Sequence, residues 1–475
     1  MSDSQPIIPS EVIDIIMDEV AQYPDKVSRT QTLSSIALSS WALRHRAHSH
    51  LFATVDLFGT HLKSATPRIR RLYEFIDADV HSEVTGIASY IKSFNVYMMG
   101  PASMVRPTLD DGTMSAIFRK IFKTGEPSSG PRSLSLTLGT LGRVRKTFDW
   151  MTLNTDFVSA FRDLCRNPLF TTLHLSRFIN LPPNLLTNSA FKSVKLSEIR
   201  LLGTESFEFT DPPTFVPSSD EEEAILNDMP FQNDQVVLLE SIETDHSFPL
   251  LEVLDMTPRR SIPPTIVFSR LKNLTIQIQS EGDFDKTAAL LVDAAPTLEQ
   301  LDVKLSYHQE TPEPLKYAHL PALKSMAIMH NFTSYKSPGR STIPQICHIL
   351  QEPQLPPNLQ KIEISIFLYT GISDRTFKDI FDGYDYYMLD ELFSHSRFYS
   401  LKHLIIRLMF NLYLDEELDE KVFHAEASAY VRSAFPELNA VAEWGPLDFD
   451  IVIAPHIRYN AIKEANIALR GVSKV

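Results

Sequence analysis

Beyond residue 60 the chain alternates between two apolar rhythms. One is a six-residue phrase with apolar residues at its first, fourth and sixth places. It occurs as Leu251-x-x-Leu254-x-Met256, Leu271-x-x-Leu274-x-Ile276 and Leu298-x-x-Leu301-x-Val303. It returns as Leu323-x-x-Met326-x-Ile328, Leu359-x-x-Ile362-x-Ile364 and Leu401-x-x-Leu404-x-Ile406, with looser copies beginning at Ile91, Phe170 and Phe191. The last two apolar places flank a single residue, so both side chains fall on one face of a strand. The second rhythm is helical. Met114, Ile117, Phe118, Ile121 and Phe122 form one stripe, and Phe157, Val158, Phe161, Leu164 and Cys165 another. Ile343, Ile346, Cys347 and Leu350 make a third, and Val422, Phe423, Tyr430 and Val431 a fourth. Each stripe predicts a helix that buries one face against the strands. Strand and helix units repeated in this way predict a stacked α/β solenoid. An ordinary doubly wound α/β sheet, which writes similar strands and helices, is the competing arrangement.

The first sixty residues read differently. Pro9 suits a helix entry, where its missing N–H would have no intrahelical partner. Val12, Ile13, Ile16, Met17 and Val20 then follow helical spacing. A second helix is expected over Thr32 to Leu43, with Leu33, Ile36, Ala37 and Trp41 on one face and Leu38 at its edge. A third is expected over Arg44 to Leu51, and Thr54 to Leu57 reads as a first strand. Three helices this short cannot bury all their apolar surface alone. They must pack on the following repeats, on a partner, or on both.

This segment resembles an F-box, as found in fungal F-box proteins with leucine-rich-repeat-like C-terminal regions. The family opens Leu-Pro-x-Glu followed by two hydrophobic residues, matched by Ile8-Pro9-Ser10-Glu11-Val12-Ile13. It closes on a phrase such as Ser-Leu-Val-x-x-x-Trp, matched by Ser35-Ile36-Ala37-Leu38-Ser39-Ser40-Trp41. Ala37 is smaller than the family's branched residue, and Ser40 stands where a basic residue is common; both would weaken adaptor contacts without abolishing them. The six-residue phrase is similar to the opening of a leucine-rich repeat, although its spacing is irregular and the following asparagine is mostly absent. The resemblance implies an α/β fold: an N-terminal three-helix F-box (residues 1–57), then an irregular leucine-rich-repeat-like α/β solenoid (58–475). It also implies a partner rather than a reaction, namely the Skp-type adaptor of a cullin-RING ubiquitin ligase. The adaptor-binding positions would be Ile8, Pro9, Val12, Ile13, Ile16, Leu33, Leu38 and Trp41. Packing inside the three-helix unit is the competing role for each of them. In the solenoid, outward strand residues would face a protein target. They include Asn273, Thr275, Gln277, Gln300, Asp302, Lys304, Lys361, Glu363, Ser365, His403 and Arg407, a mixture that suits a protein or peptide better than a polyanion.

Charge changes this picture at one place. The 475 residues carry a net −14, which speaks against a general nucleic-acid binder. Leu201 to Leu250, however, holds twelve acidic residues and no Lys or Arg, so the other 425 residues carry only −2. With Pro212, Pro213, Pro217, Pro230, Ser218 and Ser219 in the same stretch, residues 204–248 read as an exposed acidic insertion between repeats. No apolar run is long enough to span a membrane, and the N-terminus lacks the charged and apolar parts of a signal peptide. The expected location is intracellular, cytoplasmic or nuclear, and not secreted.

Motifs for chemistry are few. His45, His48 and His50 suggest a metal site, but no Cys, Asp or Glu stands near them in sequence to complete a tetrahedral shell. They read instead as a basic, solvated helix end. Gly125 to Gly130 has phosphate-loop spacing but is followed by Pro131-Arg132 instead of Lys-Ser/Thr. Cys165 and Cys347 lie on apolar helical stripes and read as core thiols. No metal and no cofactor is expected. Three functions remain: a non-catalytic substrate receptor in a ligase, a solenoid binding or scaffold protein outside any ligase, and an enzyme on an α/β sheet, which no motif supports.

Overall fold

The computed structural model describes residues 9–59, 65–77, 87–100, 102–121, 132–139, 147–186, 189–199, 237–244, 266–278, 281–305, 315, 317–330, 342–352, 354–370, 385–398, 400–414 and 420–459. The chain forms two compact units. One comprises Met1–Leu238 with Met256–Ile266, the other Leu239–Asp255 with Val267–Val475. The phrase beginning at Leu251 lies outside the described residues, as does most of the predicted acidic insertion.

The first unit begins with three helices: α1 (Ser10–Ala21), α2 (Lys26–Ser39) and α3 (Trp41–Leu51). The Pro9 carbonyl accepts from the N–H groups of Val12 and Ile13, which places Pro9 at the entry of α1. Asp25 caps α2 by accepting from the N–H groups of Val27 and Ser28, satisfying donors that have no partner inside the helix. The predicted helix over Thr32 to Leu43 is corrected twice. Asp25 starts it earlier, and Ser40, in extended conformation (φ −148°, ψ 131°), ends it before Trp41. Met17, Leu33, Ala37 and Ala47 form the centre of this trio, with Ile13, Val20, Ile36, Leu43 and Leu51 packed around them.

Five parallel strands follow in the order in which they occur along the chain: β1 (Thr54–Gly59), β2 (Ser93–Met99), β3 (Arg132–Gly139), β5 (Phe170–Ser176) and β7 (Ser193–Ser197). The short strands β4 (Phe148–Asp149) and β6 (Phe178–Ile179) pair beside them, and β8 (Val237–Leu238) closes the unit. The connections hold α4 (Ala65–Asp77), α5 (Ile87–Tyr90), α6 (Ala102–Asp110), α7 (Thr113–Ile121) and α8 (Thr155–Cys165). One sheet face meets these helices: Phe94 of β2 lies edge-on to Phe118 of α7, and Phe118 meets Phe157 of α8.

The second unit repeats the plan. After β10 (Ile266–Val267) comes β11 (Asn273–Ile278), then α9 (Glu281–Ala294), β12 (Gln300–Leu305) and β13 (Ser325–His330). The chain continues as α10 (Thr342–Ile349), β14 (Lys361–Thr370), α11 (Tyr386–Ser394) and β15 (His403–Leu414). The described part closes with α12 (Glu420–Ser433), α13 (Pro436–Trp444) and β16 (Asp448–Tyr459). With β9 (Ser241–Thr244) at one end, seven strands pair in parallel as β9-β11-β12-β13-β14-β15-β16.

The six-residue phrase has a physical basis in this unit. Its first leucine precedes the strand, and its N–H is tied back to a preceding carbonyl: Leu271 to Phe268, Leu323 to Leu320, Leu359 to Pro356 and Leu401 to Phe398. The turn aims that leucine inward, so Leu271, Leu298, Leu323, Leu359 and Leu401 are buried together with the strand residues that follow. Full burial of each is worth about 1.5–3 kcal/mol. A register slip of one residue would turn every such strand residue outward.

The predicted insertion is corrected at its C-terminal end. Val237–Leu238 and Ser241–Thr244 are strands, and Val237, Leu239, Ile242 and Thr244 are buried. Leu239-x-x-Ile242-x-Thr244 is another copy of the phrase, with threonine in its third apolar place. Glu240 and Glu243 are not free acidity: they pair with Lys272 and Lys304.

Candidate docking surfaces

The N-terminal helices carry apolar residues on two sides. In α1, Ile13, Met17 and Val20 face the trio's core, while Val12, Ile15 and Ile16, spaced as neighbours along a helix, are exposed. Leu38, at the end of α2, is 81% exposed, and Trp41, at the start of α3, is 70% exposed. The guanidinium of Arg44 stands 3.8 Å above the Trp41 ring and donates to the Ala37 carbonyl, fixing the indole at the surface. Of the predicted adaptor-binding residues, Pro9, Val12, Ile16, Leu38 and Trp41 are therefore exposed, and Ile13 is partly covered. Leu33 is corrected: at 2% exposure it belongs to the core of the trio and supports that surface from beneath. Ile8 lies outside the described residues.

The histidine-rich third helix acts as a clamp. Asp18 of α1 accepts from Arg46 at 2.5 Å and lies 2.8 Å from His50 Nε2. The Arg46 hydrogen bond holds the Asp18 carboxyl below its ordinary pKa. His45 Nδ1 lies 2.7 Å from the Tyr90 hydroxyl, and His48 meets Phe52 and Tyr90 edge-on. These histidines join α3 to α1 and to α5, which corrects the expectation of a merely solvated helix end. Among the described residues no group of His, Cys, Asp and Glu is arranged to hold a metal ion.

The parallel register of the second unit aligns its outward strand residues in rows. The first row runs Ser241, Asn273, Gln300, Ser325, Lys361, His403 and Asp448. The second runs Glu243, Thr275, Asp302, Ala327, Glu363, Ile405 and Asp450, and the third Gln277, Lys304, Met329, Ser365, Arg407 and Val452. All eight predicted target-facing residues, Asn273, Gln277, Gln300, Lys304, Lys361, Glu363, His403 and Arg407, thus share one sheet face.

Most charges on that face are paired with each other. Lys304 reaches Glu243 at 3.3 Å, Lys361 and Arg407 both reach Glu363 at 3.1 Å, and His403 Nδ1 lies 3.2 Å from Asp448. Burial alone would raise the Glu363 pKa, but the hydrogen bonds from Lys361 and Arg407 outweigh it and leave it lowered. The polar outward positions are legible in the sequence, and the apolar ones are not. Ala327, Met329, Ile405, Met409 and Val452 look like core residues by type, and only strand register turns them outward.

The corresponding face of the first unit is rich in hydroxyls. Its middle row is Asp56, Asn95, Ser135, His174 and Lys195. Asn95 donates to Asp56, and Ser135 Oγ lies 2.8 Å from His174 Nδ1. These are hydrogen bonds between neighbouring strands, invisible in sequence because the partners stand 39 residues apart.

Among the described residues no helix is long and apolar enough to cross a membrane. No protein-family model matches the chain, and no curated protein matches it.

Proposed function

We propose that this chain is a non-catalytic substrate-receptor subunit of an SCF-type (cullin-RING) ubiquitin ligase. Its N-terminal helices act as an F-box that binds a Skp-type adaptor and, through it, a cullin scaffold. Its strand and helix units act as an irregular leucine-rich-repeat-like solenoid that holds a protein target. One observation carries the reading: the helical trio completes its own core, yet Val12, Ile16, Leu38 and Trp41 stay at the surface. Apolar residues on a second helix face call for a second partner, and these sit at the positions that the F-box resemblance assigns to the adaptor. The solenoid reading is favoured by strand order, because strands that are neighbours in each ladder succeed one another along the chain. A doubly wound sheet would reverse that order at a switch point.

Capture of the purified chain by an immobilised Skp-type adaptor tests the proposal. The wild type is retained, and the double substitution Leu38→Asp with Trp41→Ala lowers retention at least tenfold. Equal retention of both, or of neither, overturns the assignment.

A further inference from the structure

On the outer face of β11 to β16, Asp302 differs from the other carboxylates. Glu243, Glu363, Asp448 and Asp450 each have a cationic group, or a histidine, within 4.0 Å. Asp302 makes no ion pair among the described residues; it accepts only from Thr275, at 3.2 Å, and from Gln300, at 3.0 Å. It is half-buried, and its register neighbour on the next strand is Ala327, which offers it no polar partner. Further across the same face, Ile405 and Met409 of β15 and Val452 of β16 are partly exposed and make an apolar shelf around Arg407, while Met329 of β13 is separated from it by Glu363 and Ser365 of β14. Arg407 stands within this shelf, but its charge is taken up by Glu363.

We infer that this face binds an extended segment of a protein target that presents a Lys or Arg side chain to Asp302 and an aliphatic side chain to the Ile405–Met409–Val452 shelf. The inference rests on the receptor reading above and specifies the target that reading leaves open. Charge complementarity selects the occupant. Glu243 and Glu363 already hold cations, so a ligand cation finds its partner at Asp302. Burial raises the Asp302 pKa, with the Gln300 and Thr275 hydrogen bonds and the charge of Lys304 opposing and only partly offsetting it, so a cation brought by a ligand would relieve a cost already present. Geometry sets the spacing. Ile405 lies three strands beyond Asp302, about 14 Å at about 4.8 Å per strand, which an extended chain rising about 3.3 Å per residue covers in about four residues. The recognised pattern is therefore a basic residue followed or preceded, about four positions away, by Leu, Ile, Val or Met.

The probe is a fluorescein-labelled peptide of about ten residues in a Ser/Gly background, carrying one Arg and, four positions on, one Leu. Companion peptides replace the Arg by Glu or the Leu by Ser, and both chain directions are made. Anisotropy titration with the full chain is expected to show the parent bound at least tenfold more tightly than either companion. Asp302→Asn, which keeps the side-chain volume, abolishes the preference for Arg over Glu and retains that for Leu over Ser. Ile405→Ser with Val452→Ser does the reverse. Equal binding of the Arg and Glu peptides, an unchanged preference in Asp302→Asn, or no binding of any peptide overturns the inference. Adaptor capture on the same preparations separates the two readings. Capture without peptide discrimination removes this inference alone, and peptide discrimination without capture removes the ligase assignment alone.

Discussion

Arg177 and Glu198 face each other at 3.3 Å, and each holds a left-handed backbone, φ 69° and φ 52°. They occupy equivalent places, the first residue after β5 and after β7. Hydrogen bonds lock the bend at Arg177: its N–H donates to the Ser197 carbonyl, and its own carbonyl accepts from Phe148. A side chain at positive φ costs roughly 1–2 kcal/mol, and the pair returns only part of that. Arg177→Ala should therefore destabilise, losing the pair while keeping the backbone penalty. Arg177→Gly loses the pair and the penalty together, and should be more stable than the alanine variant by about 1 kcal/mol. Urea midpoints of the two variants decide it; an alanine variant as stable as the glycine one would mean that the bend is not strained.

Leu33 is a core residue of the helical trio and Trp41 a surface one, so their variants separate folding from the proposed docking. Leu33 is at the trio's centre, and truncation to alanine leaves a cavity costing about 2–5 kcal/mol. Trp41 is mostly exposed, so Trp41→Ala should change stability by about 0.5 kcal/mol or less while weakening adaptor capture at least tenfold. Thermal unfolding and capture are measured on both variants. A large loss of stability in Trp41→Ala with unchanged capture would make the indole a packing residue.

Positions of strands and helices were largely legible in the sequence, and their neighbours much less so. The phrases starting at Leu271, Leu298, Leu323, Leu359 and Leu401 each lead into a parallel strand, because the periodicity that predicts a buried face is also what forms it. Leu239-x-x-Ile242-x-Thr244 is hard to recognise as a strand because Glu240 and Glu243 give its surroundings the composition of an acidic loop. The break at Ser40 was hidden because apolar spacing runs on through Leu43 with no proline or glycine to stop it. The proposed docking residues Leu38 and Trp41 are legible from the F-box resemblance, and their exposure contradicts their type. The outward-facing rows are legible only by alternation along each strand; the pairing of Glu363 with Lys361 and Arg407, and the lack of an ion pair at Asp302 among the described residues, depend on register between strands.

Asp390 of α11 caps a different helix. Its carboxylate accepts from the N–H groups of Glu437 and Leu438 at the start of α13, at 3.1 and 2.8 Å. Removing this cap with Asp390→Ala should cost about 1–2 kcal/mol, and Asp390→Asn, which keeps one acceptor, less. Burial raises the Asp390 pKa above its model-compound value of 3.8, and the two N–H donors oppose that. In the interval between the unfolded and the raised folded value, the folded state binds more protons than the unfolded one, so this group's contribution to stability falls as pH rises through it. Asp390→Asn should flatten that part of the stability curve. A variant with the wild-type pH profile would place the titration elsewhere.

Cys165 and Cys347 are both buried free thiols. Burial raises the Cys165 pKa strongly, with the nearby Arg166 opposing only weakly, and pushes Cys347 up to about 12. At about pH 8 a thiol with pKa near 12 is ionised roughly once in ten thousand molecules, and the thiolate is the reactive form. Iodoacetamide should therefore leave both cysteines unmodified in the folded chain over a time that fully alkylates them in urea, as read by intact mass. The rate of slow modification should follow the opening of each unit, so a substitution such as Arg177→Ala should accelerate Cys165 more than Cys347. Rapid labelling of either thiol in the native protein would show that its helix is not packed as the buried stripe of α8 or α10 requires.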